Sequence, residues 1–239
     1  MQNDHLVLIT GHSGTGKSSC LRTLKNPEGV MYLNCESGKK LPFKSKFQEF
    51  TITNPLQVQE AFTHAETKED IHTIIIDSIS MLLEQYESQF VLTAPNTMKA
   101  WSDYHQFFKK LMQNYVAKST KNIIFTSHLQ TILNEEEMTS SVQASCKGAL
   151  KNTGIEAYFS TVVSTKKVPV KKLPETETEL LCITERDQAV QYKHCFQTQI
   201  TKDTVNERIR GPLGLFEENE IFIDADAQKL LDRLHSYYE

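Results

Sequence analysis

Apolar positions along the chain fall into two kinds of run. Short, continuous, largely β-branched runs at residues 5–10, 30–35, 71–78, 122–128 and 158–165 predict strands buried on both faces, the habit of a parallel sheet. Longer stretches between them repeat at helical spacing. Leu56, Val58, Ala61, Phe62 and Ala65 line one face after Asn54-Pro55, residues 78–90 read as a second helix, and residues 98–116 as a third. In the last of these, Trp101, Tyr104, Phe107, Phe108, Leu111, Met112 and Tyr115 form a stripe best explained as a core face. A further helix is predicted at residues 19–25, stopped by the turn chemistry of Asn26-Pro27-Glu28-Gly29, and a short strand at 50–53. Strands alternating with helices predict an α/β fold with a mostly parallel central sheet flanked by helices.

The pattern changes after residue 165. Residues 166–172 are basic and interrupted by Pro169, predicting an exposed hairpin or linker. Residues 179–184 and 189–198 alternate like antiparallel strands closing the C-terminal edge of the sheet. Residues 225–238 predict a terminal amphipathic helix with Leu230, Leu231 and Leu234 inward and Asp224 as its cap. The expectation is one domain over residues 1–239, with a core at 1–165 that residues 166–239 complete.

Composition narrows the class. The 239 residues are 39% hydrophobic and 23% charged, ordinary for a globular domain with a full core. The net charge of −4 excludes a molecule that binds nucleic acid by overall charge, so any DNA site is a local patch. The five cysteines are scattered without C-x-x-C spacing, which indicates neither a zinc site nor a disulfide framework. Cys20 and Cys35 fall in predicted core elements and read as buried thiols. No apolar run approaches the length of a membrane span and no leader precedes the first strand, so the expectation is a cytoplasmic protein without membrane contact.

The sharpest chemistry follows the first strand. Gly11-His12-Ser13-Gly14-Thr15-Gly16-Lys17-Ser18 matches G-x-x-x-x-G-K-[ST], a phosphate-binding loop when set between strand and helix. Its glycines let successive backbone N–H groups curl inward toward phosphate oxygens, and the helix start at Ser19 adds unpaired amides. Lys17 reaches the β- and γ-phosphates and Ser18 can ligate Mg²⁺. The run Ile74-Ile75-Ile76 ends in Asp77, where a buried strand meets the ligand. That is the Walker B arrangement, with Asp77 as a Mg²⁺ partner opposite Ser18; its alternative role is an N-cap. Glu36 leaves the carboxyl end of the second strand, beside the nucleotide or as a solvated loop carboxylate. Ser127 and His128 end the fourth strand and are candidates for sensing the γ-phosphate, with a loop histidine as the plainer account of His128. Lys39, Lys40, Lys44 and Lys46 interleave with Phe43 and Phe47, a mixture suited either to single-stranded nucleic acid or to an anchored surface loop. Residues 129–147 are polar, including Glu135–Glu137, and predict a long loop placed to feel the nucleotide state.

This order of motifs resembles the RecA-like ATPases, in which the glutamate after the second strand polarises the attacking water. GHSGTGKS, IIIDSIS, IIFTSHLQ, CKGAL and NERIRGPLGLF together look like the small phage RecA-core ATPases, a group that includes single-strand annealing proteins of the Sak type. The resemblance implies ATP and Mg²⁺ as cofactors, Glu36 as the water-activating base and residues 11–19 with Ser127 and His128 around the nucleotide. It also implies single-stranded DNA as a partner, a homo-oligomer with ATP at subunit interfaces, and phage recombination or replication proteins as further contacts. Lys202, Arg208 and Arg210 would then reach a neighbour's γ-phosphate, surface salt-bridging being their alternative. A nucleotide-dependent assembly or loader protein is the second expectation. A P-loop small-molecule kinase fits less well, because residues 129–147 contain none of the arginines a phosphate-covering lid requires.

Overall fold

The computed structural model describes residues 3–134, 138–174 and 178–239. Its sheet runs in the order β3-β2-β4-β5-β1-β7-β8-β9, with β6 paired to β5 alone. The strands are β1 (Leu6–Gly11), β2 (Val30–Asn34), β3 (Gln48–Thr51), β4 (Thr73–Asp77), β5 (Asn122–Asn134), β6 (Thr139–Ala144), β7 (Thr161–Pro169), β8 (Tyr192–Gln197) and β9 (Phe222–Asp224). From β3 to β7 the neighbours are parallel, and β8 and β9 are added antiparallel. The expected α/β architecture is therefore the observed one.

The continuous apolar runs have a direct cause. Side chains alternate across a strand, so a strand covered on both faces must be apolar at every position. Leu8, Ile74, Ile76, Ile123 and Phe125 enter one core. Helices α1 (Gln57–Glu66), α2 (Ile79–Tyr86) and α3 (Thr97–Lys110) supply Phe62, Leu82, Leu83, Tyr104 and Phe108 to that layer, and the short α4 (Ala149–Thr153) adds Leu150. Val7, Ile9, Ile75, Ile124 and Val163 face the other way. There Leu21, Leu24 and α6 (Ala227–Tyr238), through Leu230, Leu231 and Leu234, close a second layer. The aromatic stripe on α3 is a core face, as its spacing predicts.

Several predicted elements change. Residues 19–23 form a single 3-10 turn rather than a full helix. Asn26 in the left-handed region (φ 48°) and Pro27 end the segment before an α-helix can lengthen. The polar stretch after His128 is no loop in its described part: β5 continues to Asn134 and pairs antiparallel with β6, Leu129 opposite Ala144. Both faces of this ribbon mix polar with apolar side chains, which leaves no alternation to read, and Glu135–Glu137 lie outside the described residues. The basic segment expected as hairpin or linker is the end of β7, paired with β8 from Lys166↔Cys195 to Pro169↔Tyr192. Pro169 closes the strand, where its missing N–H matters least.

Residues 179–184 are not a strand. The open edge of β8 is taken by β9, and Leu180 accepts from the Asp224 amide (2.8 Å). A short helix, α5 (Glu185–Val190), follows with a Thr184/Asp187 capping box and delays β8 to Tyr192. The cap of α6 is Asp226, whose side chain accepts from the Lys229 amide, and not Asp224. Asp224 is instead occupied by Lys193 and Lys229. Among the described residues no helix is long and apolar enough to cross a membrane.

Candidate nucleotide-binding site

Strand order brings the sequence motifs together. β2, β4, β5 and β1 are consecutive neighbours, and their registers align Asn34 with Asp77 and Gly11 with His128. The carboxyl ends of β1, β2 and β4 therefore gather beside the Thr126–His128 stretch of β5, across about 15 Å at roughly 4.8 Å per strand. Glu36, Asp77, His128 and the phosphate loop meet at their carboxyl ends around a cavity of about 190 Å³ that also touches Gly14, Lys17, Ser18 and Ser19.

The loop is held from behind. Gly14 and Gly16 have φ of +74° and +110°, where a side chain is strained. A Cβ at Gly11 would stand 2.0 Å from the Thr165 hydroxyl, so only glycine fits. Thr15 Oγ1 and Thr165 Oγ1 lie 2.6 Å apart, and the Thr15 carbonyl accepts from His194 Nδ1 (2.7 Å). Thr15 also donates from its hydroxyl to the His12 carbonyl (2.8 Å). Lys17 folds over the loop, its ammonium donating to the carbonyls of Gly11 (2.8 Å) and His12 (3.0 Å). Burial depresses its pKa, while Asp77 and Glu36 partly oppose that shift. A buried ammonium satisfied by two carbonyls is one that an anionic ligand can draw away.

Asp77 is fixed by three hydroxyls. Ser18 (2.9 Å) and Tyr32 (2.7 Å) donate to Oδ2, and Thr126 donates to Oδ1. Burial, then the Asp77 charge, pushes the Tyr32 phenol far above its usual range, so it stays a donor. The carboxylate makes these bonds sideways and not to the start of α2, which rules out the N-cap role. Ser18 and Asp77 form a compact hard-oxygen pair, the donor chemistry Mg²⁺ prefers, and no soft ligand intrudes.

Both oxygens of Glu36 are engaged. His128 Nε2 donates to Oε1 (3.0 Å) and Lys39 to Oε2 (2.7 Å). The His128 bond first, with Lys39 adding to it and burial opposing, holds the carboxyl down at about 2. Its amide is seated on the Asn34 side chain (3.0 Å). Ser127 is not on the cavity. It is fully buried, its hydroxyl 2.9 Å from that of Ser80, and Ser80 also accepts from the His128 amide (3.1 Å). Alternation along β5 turns His128 toward the site and Ser127 beneath it, so a direct phosphate contact by the Ser127 side chain is corrected to support of the strand end.

The late cations lie away from this cavity. Arg208 is paired with the buried Glu156 (3.5 Å) and the Thr153 carbonyl (3.2 Å), while Lys202 and Arg210 are exposed. Phe43 and Phe47 pack edge-to-face (5.9 Å) against the second core layer, which makes the basic loop an anchored one. Sequence reasoning missed Tyr32, Thr126, Thr165 and His194. Each sits inside an ordinary strand pattern, and no spacing distinguishes it from its neighbours.

No characterised protein matches the chain in sequence. One family does: the AAA domain, over residues 4–172, which covers the phosphate loop, Glu36, Asp77 and His128. With that match across most of its length, and with this P-loop geometry, the chain belongs to the AAA domain family of P-loop ATPases.

Proposed function

We propose that the protein is a RecA-like ATPase that acts on single-stranded DNA, in the manner of the phage annealing proteins, with its ATP site completed by a second copy of the chain. The observation that carries the reading is the meeting of Lys17, Ser18, Asp77, Glu36 and His128 at one cavity, with His128 on the strand that continues into the β5–β6 hairpin. A change at the γ-phosphate felt by His128 passes straight along β5. The hairpin carries the exposed Leu133 and Met138 at its far end, apolar side chains available to a binding partner.

The residues divide the work. The loop amides and Lys17 bind phosphate, Lys17 exchanging its two carbonyl partners for phosphate oxygens. Ser18 and Asp77 hold Mg²⁺, which supplies charge neutralisation when bound. Glu36 orients the attacking water and accepts its proton. A carboxylate at about 2 is a weak base, since proton transfer is most efficient when the pKa lies near the working pH. The arrangement with His128 and Lys39 on Glu36 is thus a resting one, and turnover requires both to let go. Arg208 is committed to Glu156, so Lys202 and Arg210 are the better placed of the three to act across an interface.

The test is ATP turnover with and without single-stranded DNA, on the native protein and on Lys17→Ala. DNA-stimulated turnover lost in Lys17→Ala supports the reading, and turnover indifferent to DNA overturns the DNA role. Electron microscopy with a non-hydrolysable ATP analogue tests the shared site, for which rings or filaments are expected only with nucleotide and DNA together.

A further inference from the structure

The phosphate loop has a second cavity on its other flank. It measures about 550 Å³ and shares Gly16 and Ser19 with the smaller one. The two cavities differ in chemistry. Glu36, Asp77 and His128, the groups for the metal and the terminal phosphate, all line the smaller. None of them lines the larger, which continues along the turn at residues 19–23 and ends against α5, β8 and β9. For a triphosphate wrapped by the loop with its reacting end at Glu36, the shared edge at Gly16 and Ser19 leads directly into that space. The volume lies within the roughly 300–1,000 Å³ of small-molecule sites.

The walls suit a nucleoside better than another phosphate. The buried cation at the floor, Lys193, is already paired with Asp187 (3.0 Å) and Asp224 (3.1 Å). Around the mouth stand Tyr192, Arg22 and Arg186, an aromatic ring and two guanidinium planes, the surfaces on which nucleobases stack. Tyr192 packs edge-on against His194 (5.6 Å), and His194 holds the Thr15 carbonyl of the loop. The stacking wall and the phosphate cradle are one connected unit. Most of these walls lie beyond residue 172, outside the span that matches the AAA domain.

We infer that the base and ribose of the bound nucleotide occupy this 550 Å³ cavity, with Tyr192 as the stacking residue, so that the C-terminal strands set nucleoside recognition while the phosphate loop sets phosphate recognition. The inference rests on the nucleotide-binding reading above.

Cys182 supplies a reporter. It is exposed and lines the cavity, whereas the other four cysteines are buried. Maleimide labelling mapped by peptide mass spectrometry is run with saturating Mg-ADP and with saturating Mg-tripolyphosphate, each occupancy verified by calorimetry. Mg-ADP should slow Cys182 labelling about tenfold and tripolyphosphate should leave it unchanged. Tyr192→Ala, at a half-exposed position outside the core, should weaken Mg-ADP about tenfold and tripolyphosphate not at all. Bound Mg-ADP with Cys182 fully reactive, equal protection by tripolyphosphate, or an unaltered Mg-ADP affinity in Tyr192→Ala overturns the inference and leaves the phosphate site standing. No calorimetric binding of Mg-ADP or Mg-ATP overturns both together.

Discussion

Replacing Glu36 by glutamine separates the stability of the site from its chemistry. The carboxyl sits at about 2 instead of the ordinary 4.5, which corresponds to about 3.4 kcal/mol at 1.36 kcal/mol per pH unit. That figure is a ceiling. The Lys39 side chain is 69% exposed, and exposed pairs contribute below about 1 kcal/mol, which leaves a ceiling of about 2.4 kcal/mol. The lower part of the net range for a hydrogen bond to a charged group, roughly 1.5–2 kcal/mol, is the share assigned to His128. Because the folded pKa is depressed, this stability is fully present above pH 4.5 and is lost as the pH falls toward 2. Glu36→Gln should therefore be less stable than the native protein by about 1.5–2 kcal/mol at pH 7, a melting temperature lower by about 3–8 °C. The gap should narrow steadily below pH 4.5. Urea denaturation at pH 7, 5, 4 and 3 measures it. A gap that does not change with pH, or a variant more stable than the native protein at pH 7, refutes the assigned cause. In the same variant ATP binding should persist while turnover falls by about 10²–10⁴-fold; normal hydrolysis would remove Glu36 from the role of base.

Lys17→Ala should weaken Mg-ATP at least about tenfold, the value of one charge-assisted bond, with an unchanged circular-dichroism spectrum; unaltered affinity by calorimetry would contradict the phosphate-loop assignment. Tyr32→Phe removes one donor from Asp77 (2.7 Å) and should cost about 1.5–3 kcal/mol, read as a lower melting temperature together with a raised Mg²⁺ requirement for turnover. Gly11→Ala forces a Cβ to 2.0 Å from Thr165 Oγ1 and should destabilise by about 1–3 kcal/mol, with nucleotide affinity falling as the loop shifts. Asp226→Ala should cost about 1 kcal/mol as the loss of an N-cap, whereas Asp224→Ala should perturb the Lys193 and Lys229 pairs instead; chemical denaturation of the two distinguishes cap from ion pair.

In the resting geometry His128 and Lys39 hold the Glu36 carboxylate away from water, Lys17 is folded onto its own loop, and Asp77 is preset by three hydroxyls. On the proposed reading, turnover is expected to stay slow for as long as Glu36 remains bonded to His128 and Lys39.

The sequence alone determined the strand runs of the parallel sheet, the three helices of the first layer and the phosphate loop, because each is written in local periodicity or in a contiguous motif. Glu36, Asp77 and His128 were legible for the same reason, as polar residues ending buried strands. Tertiary structure decided what those residues do to one another. The order β2-β4-β5-β1 and its parallel registers bring His128 onto Glu36 across 92 positions of chain and Tyr32 onto Asp77 across 45. The commitment of Arg208 to Glu156 and the capping of α6 by Asp226 depend on which groups the folded chain brings within hydrogen-bond reach. The C-terminal third was least legible. Its strands are short and partly polar, and their places were set by which edge of the sheet remained open: β9 filled the edge predicted for residues 179–184, and β8 brought His194 and Tyr192 to a loop 170 or more residues earlier in the chain. Periodicity reports which face a residue presents, and only packing reports what that face meets.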